Sequence, residues 1–219
     1  VLYMLHGYGG NNNDWLQDNT GSIWAGGGTM PAYAREYAEK TGKELIIVAP
    51  DGGNNFYCDG FNGGPKYMSF FFEEFIPYIV KTFRTIASKE GRAIAGFSMG
   101  GYGAIRNGLK YSQNFSKIGM ISAALITDDI VGYSSDDNVL RSRPFYESIF
   151  GNLDELEGSD MDPKALIENC SDIPDIFMAC GKDDFLYDKN TDFYDFLKTN
   201  NVNVDFVEAE GEHTWDFAD

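Results

Sequence analysis

The sequence predicts an α/β fold in which helices cover both faces of a mostly parallel central sheet. Short apolar runs alternate along the chain with segments of helical periodicity, a pattern typical of strands joined by crossover helices. The 219 residues are enough for one domain with one core, so we interpret 1–219 as a single domain. The runs predicted to be strands are 1–5, 44–49, 92–97, 117–122, 175–180 and 204–208.

Helices are predicted between these runs, at 31–40, 69–86, 102–110 and 191–199. In the second of these segments, apolar side chains recur at steps of three and four residues, as they do on the buried face of an amphipathic helix. This spacing is typical of core residues rather than of a ligand site. The stripe consists of Phe71, Phe72, Phe75, Ile76, Ile79 and Phe83.

The composition excludes several classes of partner. Hydrophobic residues make up 43% of the chain, which is typical of a globular protein and not of a disordered one. No apolar run approaches the roughly 20 residues that a membrane-spanning helix needs. The formal net charge of −17 disfavours nucleic acid and anionic membrane surfaces, because both would be repelled. The charge fits a soluble enzyme that acts on neutral substrates, and it leaves the oligomeric state open.

The sequence gives no indication of a metal or a cofactor. Cys58, Cys170 and Cys180 have neither the even number of a disulfide framework nor the spacing of a zinc site, so we expect free thiols. The acidic pairs at 128–129 and 136–137 lack the spacing of a calcium loop. We therefore expect a site that works without a cofactor.

The run Gly-Phe-Ser-Met-Gly-Gly at 96–101 is the most informative motif in the chain. It has the Gly-x-Ser-x-Gly spacing with which a strand turns sharply into a helix and holds a serine at the apex. A predicted strand precedes the motif and a predicted helix follows it, which is the setting that the motif requires. It lacks the lysine and hydroxyl residue of a phosphate-binding loop. Ser98 is therefore the candidate nucleophile.

A serine hydroxyl is a poor nucleophile at neutral pH unless a base accepts its proton. The chain has two histidines, His6 and His213. Where a serine elbow of this kind tops a parallel sheet, the acid and then the histidine follow the serine along the chain. His213 satisfies that order and lies just past the last predicted strand. It is the candidate base, in preference to a solvated side chain in a polar loop.

The candidate acid follows the strand predicted at 175–180. Asp183 and Asp184 are adjacent, so their side chains cannot both face the histidine. We choose Asp184, because the apolar pair Phe185–Leu186 after it can anchor the loop and direct the preceding carboxylate inward, leaving Asp183 in solvent. The acidic pair at 128–129, after the preceding strand, is the alternative.

A glycine-rich run, His-Gly-Tyr-Gly-Gly at 6–10, follows the first predicted strand directly. Glycines there let the backbone pass close to a substrate, although many such loops are plain turns. An oxyanion hole needs two backbone N–H groups directed at the developing negative charge. We expect one from Met99, directly after the nucleophile, and one from Tyr8. His6 would then hold this loop by hydrogen bonds and would not be a second base.

Residues 127–170 interrupt the alternation, because they are too long for a simple connection between two strands. They contain eleven acidic and three basic residues. One interpretation is a solvated surface excursion. The other is a short cap over the site, in which Phe145, Tyr146 and Phe150 line a substrate cleft.

The sequence resembles the esterase D-like branch of the α/β-hydrolases in several motifs and in their order along the chain. This branch includes feruloyl, acetyl xylan and tributyrin-type esterases and S-formylglutathione hydrolases. The resemblance spans nearly the whole chain and rests on the runs at 6–10, 13–15, 50–52, 96–103, 181–186 and 211–215. It implies an α/β-hydrolase fold and a serine esterase without a cofactor. The site residues that it implies are Ser98 as nucleophile, Asp184 as acid, His213 as base, and Tyr8 and Met99 as oxyanion donors.

The Gly-Glu-His-Thr-Trp run at 211–215 is more similar to bacterial carbohydrate and feruloyl esterases than to S-formylglutathione hydrolases. The resemblance therefore implies feruloyl or acetyl esters of plant polysaccharide as substrates, with short-chain acyl esters and S-formylglutathione as alternatives. It also favours a secreted bacterial protein over a cytoplasmic one. Trp15, Tyr57 and Trp215 are candidates to stack on a phenolic acyl group or a sugar ring, unless they are core residues.

Two further classes of enzyme, thioesterases and acyltransferases, would use the same triad. A non-catalytic carbohydrate-binding module would normally have lost one of the three triad residues, and all are present.

The chain begins inside a predicted strand and ends just after the histidine loop, so we expect it to be truncated at both ends.

Overall fold

The computed structural model describes residues 1–17, 28–61, 63–134 and 141–218. Its strands are β1 (Leu2–Leu5), β2 (Ile47–Val48), β3 (Ala93–Phe97), β4 (Lys117–Ile121), β5 (Asp175–Gly181) and β6 (Val204–Ala209). Within these residues they form one six-stranded sheet in the order β2-β1-β3-β4-β5-β6, and each pair of neighbours is parallel. Each predicted strand is present, so the predicted fold class is confirmed.

Helices lie between the strands, as the alternating pattern predicts. In the described part of the chain, none is long and apolar enough to cross a membrane. The helix predicted at 191–199 begins earlier, at Tyr187. The helices are α1 (Met30–Thr41), α2 (Tyr67–Phe70), α3 (Ile76–Thr82), α4 (Met99–Lys110), α5 (Thr127–Ile130), α6 (Arg143–Phe150), α7 (Pro163–Asn169), α8 (Tyr187–Thr199) and α9 (Trp215–Ala218).

The long helix predicted at 69–86 is shorter and less regular than its periodicity indicates. It consists of α2 and α3 joined by a π-helical turn, Phe71–Phe75. It ends at Thr82 because Phe83 takes an extended conformation, with φ −115° and ψ 160°. Phe83 consequently leaves the apolar stripe and is 49% exposed. The fully buried members of the stripe are Phe71, Ile76 and Ile79.

Alternate residues of β1 face two separate cores, because side chains in a strand point to opposite faces in turn. Tyr3 and Leu5 of β1 pack in the larger core, which α4 covers. Met4, between them, packs in a smaller core on the other face, where Met30 of α1 and Trp215 of α9 also contact it. Helices therefore cover both faces of the sheet, as predicted.

The first turn of α4 approaches the sheet at backbone contact. A Cβ added to Gly96 would lie 2.4 Å from the carbonyl carbon of Gly100, and one added to Gly100 would lie 2.2 Å from the carbonyl oxygen of Leu5. The obstructing atoms belong to the backbone, so they cannot rotate away as a flexible side chain does. The two glycines of the serine motif therefore set how closely α4 packs on β1 and β3.

Replacing Gly100 with alanine is expected to lower the free energy of unfolding by about 3 kcal/mol, because the added methyl group overpacks a rigid backbone contact. The matched control is Gly42→Ala, at a φ of 69° with no atom within 4 Å of the added Cβ. The control is expected to cost about 1 kcal/mol from backbone strain alone. Urea unfolding measures both variants, and equal losses would contradict the close approach.

Candidate active site

Ser98 occupies the turn between β3 and α4. Its backbone has φ 57° and ψ −117°, a strained conformation that costs about 1–3 kcal/mol in a residue with a side chain. Bonds to the end of β4 and to the residues after it hold Ser98 there: its N–H donates to the Ile121 carbonyl at 2.9 Å, and its carbonyl accepts from the Ala124 N–H at 2.9 Å. The turn presents the hydroxyl at the carboxyl end of the sheet.

His213 lies between Ser98 and Asp184. Its Nε2 is 2.9 Å from Ser98 Oγ, and its Nδ1 is 2.8 Å from Asp184 Oδ2. An ionised carboxylate can only accept, so Nδ1 carries the proton of the neutral ring. Nε2 then has a lone pair directed at the serine hydroxyl. This is the tautomer with which a histidine can accept the proton of a serine.

Asp184, and not its exposed neighbour Asp183, meets the histidine. Asp184 is 5% exposed, and its second oxygen accepts from the Leu186 N–H at 2.8 Å. Burial by itself would raise the pKa of this carboxyl. Hydrogen bonds from His213, the Ser122 hydroxyl and the Leu186 amide outweigh that effect, so the pKa lies below its ordinary value. The carboxylate therefore stays ionised while it holds the imidazole.

The alternative acids, Asp128 and Asp129, are engaged elsewhere. Asp128 forms an ion pair with Lys164, and Asp129 forms one with Lys189. Both aspartates belong to α5, which follows β4, whereas the acid at His213 follows β5.

The loops that carry the acid and the histidine are bonded to each other. The Asp183 N–H donates to the Gly211 carbonyl at 3.0 Å, and the Lys182 N–H donates to the Ala209 carbonyl at 2.9 Å. A Cβ on Gly181 would lie 2.2 Å from the Gly211 oxygen, so the two backbones are in direct contact. This contact fixes where His213 lies relative to Asp184.

The loop after β1 is held through His6, which is fully buried. His6 Nδ1 is 2.8 Å from the Gly7 carbonyl, and its Nε2 accepts from the Gly52 N–H at 3.0 Å. A carbonyl accepts and an N–H donates, so this ring is the neutral Nδ1–H tautomer. Both ring nitrogens thus bond to the backbone, and Nε2 also lies 3.4 Å from Asp51 Oδ1, in keeping with the expectation that His6 holds this loop. Tyr8 and Met99 both lie beside Ser98 at the cavity.

A cavity of about 480 Å³ opens in front of Ser98 and His213. Its walls are almost entirely apolar, and part of them comes from the segment 127–170. Arg141 from that segment donates through Nε to the Tyr8 hydroxyl at 3.1 Å, with its guanidinium 4.7 Å from the Tyr8 ring centre. The further lining residues are Gly7, Phe56, Phe97, Met99, Ala124, Ile126, Phe145, Tyr146, Phe185 and Leu186.

The segment 127–170 therefore contributes to the site, although not with each residue predicted. Phe145 and Tyr146 line the cavity, as the cap interpretation expects. Phe150 does not; it lies in the core, with its ring centre 5.2 Å from that of Phe56 and 5.6 Å from that of Tyr102. Phe150 ends α6 on the buried face, which explains the difference. Residues 135–140 of the segment, including the acidic pair at 136–137, lie outside the described residues.

The aromatic residues predicted to contact substrate are core residues instead. Trp15 and Tyr57 are 0% exposed and Trp215 is 2% exposed, and none is among the described residues that line the cavity. Trp15 and Trp215 meet edge to face, with ring centres 4.7 Å apart. They pack with Phe97, whose ring stacks on His213 at 4.7 Å. The two tryptophans thus support the histidine loop from behind.

Of the residues that line the cavity, Phe56 and Arg141 were not singled out from the sequence, and Phe185 was expected only to anchor the acid loop. Phe185 is 64% exposed, yet its ring centre is 4.5 Å from that of His213. Its place directly after the acid is a signal that identifies it. Phe56 and Arg141 carry no comparable signal, because neither belongs to a recognisable sequence motif.

The cysteines are free thiols, as predicted, with Cys58 and Cys180 buried. Burial raises the pKa of Cys58 to about 11 and that of Cys180 to about 12, so neither is a thiolate at neutral pH. Among the residues that the structure describes, no cluster of histidine, cysteine and carboxylate side chains has the arrangement of a metal site.

The chain matches the family model described as "Putative esterase" over residues 1–215. It is 39% identical over 222 residues to an acetyl esterase of Caldicellulosiruptor saccharolyticus, covering 99% of this chain and 78% of that protein. Its structure resembles S-formylglutathione hydrolase FrmB of Staphylococcus aureus with a TM-score of 0.78 and 27% identity, over 100% of this chain and 78% of that chain. It also resembles a ferulic acid esterase with a TM-score of 0.72 and 30% identity, over 100% of this chain and 79% of that chain.

These matches and the parallel sheet define a carboxylic ester hydrolase with the α/β-hydrolase fold. The resemblance inferred from the sequence motifs is thereby confirmed. The chain belongs to the esterase family that the matching model describes.

The lowered pKa of Asp184 predicts a pH dependence of stability. Because the pKa in the folded state is below the ordinary 3.8, the ionised carboxylate stabilises the fold above that pH. This contribution is lost as the pH falls from 3.8 through the folded pKa. The difference in free energy of unfolding between wild type and Asp184→Asn should therefore shrink from about pH 5 to about pH 2 in urea unfolding experiments. Asp183→Asn, the same substitution at an exposed neighbouring carboxylate, is measured alongside as the control.

Proposed function

We propose that this enzyme cleaves carboxylic esters through an acyl-enzyme intermediate on Ser98, with His213 as base and Asp184 as acid. The observation that carries the proposal is the chain of contacts from Ser98 Oγ to His213 Nε2 at 2.9 Å and from His213 Nδ1 to Asp184 Oδ2 at 2.8 Å. This chain ends at a cavity that is large enough for a small ligand.

In the first half of the reaction, Ser98 Oγ attacks the carbonyl carbon of the ester while His213 Nε2 takes its proton. The carbonyl electron pair moves onto the oxygen, which becomes the oxyanion of a tetrahedral intermediate. Asp184 keeps the imidazole oriented and stabilises the imidazolium. The bond to the alcohol oxygen then breaks, the alcohol leaves with the proton from Nε2, and the acyl group stays on Ser98.

In the second half, water replaces the alcohol. His213 Nε2 removes a proton from the water as its oxygen attacks the acyl carbon. Collapse of the second tetrahedral intermediate releases the carboxylic acid and returns the proton to Ser98. In both halves the N–H groups of Tyr8 and Met99 would stabilise the oxyanion, each contributing a factor of about 100 to 1,000 in kcat. Met99 opens α4, where the helix dipole also favours negative charge.

The triad assignment predicts large losses of turnover. Ser98→Ala and His213→Ala should each lower kcat on p-nitrophenyl acetate by about 10⁶-fold, and Asp184→Asn by about 10⁴-fold. Asp183→Asn is the matched control, because the same change is made one residue away on an exposed side chain, and it should keep full activity. Ser98→Ala with wild-type activity would overturn the assignment.

We propose feruloyl or acetyl esters of plant polysaccharide as the substrates. The aromatic cavity walls, with Phe145, Tyr146 and Phe185, suit a planar phenolic acyl group, since offset and edge-to-face contacts between rings stabilise it. Similarity to an acetyl esterase and to a ferulic acid esterase supports this class. The alternative is a short-chain acyl esterase or an S-formylglutathione hydrolase, which the similarity to FrmB supports. A non-catalytic carbohydrate-binding module is disfavoured by the intact chain of contacts at Ser98. We also propose that the protein is secreted by a bacterium rather than kept in the cytoplasm, as its proposed polysaccharide substrates favour.

The substrate class is tested by kcat/KM values for methyl ferulate, acetylated xylan, tributyrin and S-formylglutathione. We expect one of the first two to be the best substrate. If it is methyl ferulate, Phe145→Leu should raise its KM about fivefold, since a ring–ring contact is lost. Phe83→Leu, which changes an exposed ring away from the cavity, is the control and should leave KM unchanged. The highest kcat/KM for S-formylglutathione or tributyrin would favour the alternative.

A further inference from the structure

The loop after β1 is braced by a second segment, 52–57, which lies after β2. Tyr57 in this segment was a candidate for substrate contact or for the core, and it is a core residue whose hydroxyl donates to the backbone of the loop. The bonds between loop and segment are Gly52 N–H to His6 Nε2 at 3.0 Å, Gly9 N–H to Asn54 Oδ1 at 2.7 Å, and Tyr57 O–H to the His6 carbonyl at 3.0 Å.

Two of the backbone carbonyls held in this loop determine where its N–H groups point. In a trans peptide the carbonyl and the following N–H point in opposite directions, so fixing the oxygen fixes the N–H. The Gly7 carbonyl shares its peptide with the Tyr8 N–H, and it is bonded to His6 Nδ1 at 2.8 Å and to the Gly10 N–H at 3.1 Å. The His6 carbonyl shares its peptide with the Gly7 N–H, and Tyr57 holds it.

Tyr57 is itself held in a strained and crowded place. Its φ of 57° is in the left-handed region, as is that of Phe56 at 54°, and such residues persist only where their surroundings enforce them. The ring of Tyr57 fills space that Gly52 and Gly103 leave open. A Cβ added to Gly52 would lie 2.2 Å from the ring, and one added to Gly103 would lie 2.7 Å from it. Asn107 of α4 donates to the Tyr57 carbonyl at 3.1 Å. Tyr57 thus connects the helix behind Ser98 to the loop after β1.

We propose that Tyr57 is a positioning residue of the ester hydrolase reaction. It holds the His6–Gly7 peptide, and through it the adjoining Gly7–Tyr8 peptide, so that the Tyr8 N–H is directed at the oxyanion. The inference rests on the proposed function of Ser98 and the oxyanion hole. Burial raises the pKa of the Tyr57 hydroxyl well above its ordinary value, so it remains a donor throughout the pH range of the reaction. The substrate does not touch Tyr57. Tyr57 acts on the reaction through the backbone of the loop after β1.

The test is Tyr57→Phe, compared with Tyr67→Phe. The two rings are neighbours at 5.3 Å and both are buried, but the buried Tyr67 hydroxyl has no hydrogen-bond partner among the described residues. Each variant therefore loses one buried hydroxyl, and only the first loses a bond to the loop. Titration with a fluorophosphonate counts the competent sites, so kcat refers to folded enzyme even where stability falls.

Tyr57→Phe should lower kcat on p-nitrophenyl acetate about tenfold with KM within about twofold, since the oxyanion donor is misdirected rather than removed. The inhibition constant of phenylboronic acid, which forms a tetrahedral anion on the serine, should rise by the same factor. Tyr67→Phe should change neither value.

A Tyr57→Phe enzyme with the kcat of Tyr67→Phe would overturn the inference, as would a lower kcat with unchanged boronate inhibition. If either occurs while Ser98→Ala is inactive, only the function of Tyr57 is refuted. If Ser98→Ala is active, the proposed function itself fails.

Discussion

The site depends on the backbone contact between the first turn of α4 and the carboxyl end of β1. Gly100 lies against the Leu5 carbonyl with no space for a methyl group. Because β1 and β3 are neighbours in the sheet, this contact brings the loop after β1 beside the residues that open α4. Ser98 and Met99 on one side and Gly7 and Tyr8 on the other therefore share one cavity. A parallel sheet supplies this arrangement at its carboxyl edge, where successive loops meet.

Around this contact, aromatic side chains have two different functions. Phe145, Tyr146 and Phe185 form part of the apolar wall of the cavity. Trp15, Trp215 and Phe97 form a packed layer behind the histidine. The imidazole of His213 thus lies between an exposed ring, Phe185, and a buried one, Phe97, and both limit its rotation.

The sheet was predicted from the alternation of apolar and helical segments along the chain, and the turn at Ser98 from the local spacing of its glycines. The meeting of Ser98, His213 and Asp184 was predicted from the order of these residues along the chain. Ser98 could be identified from the glycines on either side of it. The backbone is so crowded at this turn that few residues other than glycine fit at those two positions. Asp184 could be separated from Asp183 because an apolar residue two positions later buries in the core. The turn at Ser98 and the choice of Asp184 needed only residues close to each motif, whereas the choice of His213 over His6 needed the order of the motifs along the chain.

The functions of the aromatic residues could not be predicted in this way. Trp15, Tyr57 and Trp215 lie close in sequence to site motifs, but whether a ring faces substrate or core depends on contacts between distant segments. Tyr57 illustrates this point, since its place depends on two consecutive left-handed residues and on bonds to α4 and to the loop after β1, which are distant in sequence. The end of the long helix at Thr82 is set by the extended Phe83 backbone, which hydrophobic periodicity does not encode.

The bonding between the loops after β5 and β6 has a consequence for how enzymes built this way diversify. Gly181 and Gly211 are in backbone contact, so the loops after β5 and β6 have no space between them. One extra residue in either loop would therefore move the imidazole of His213 away from the Asp184 carboxylate, unless the other loop were lengthened as well. Variation in length is tolerated more easily in the excursion between β4 and β5, which meets the cavity through side chains. New specificities are therefore expected to arise by remodelling that excursion, while the paired connections keep a fixed span.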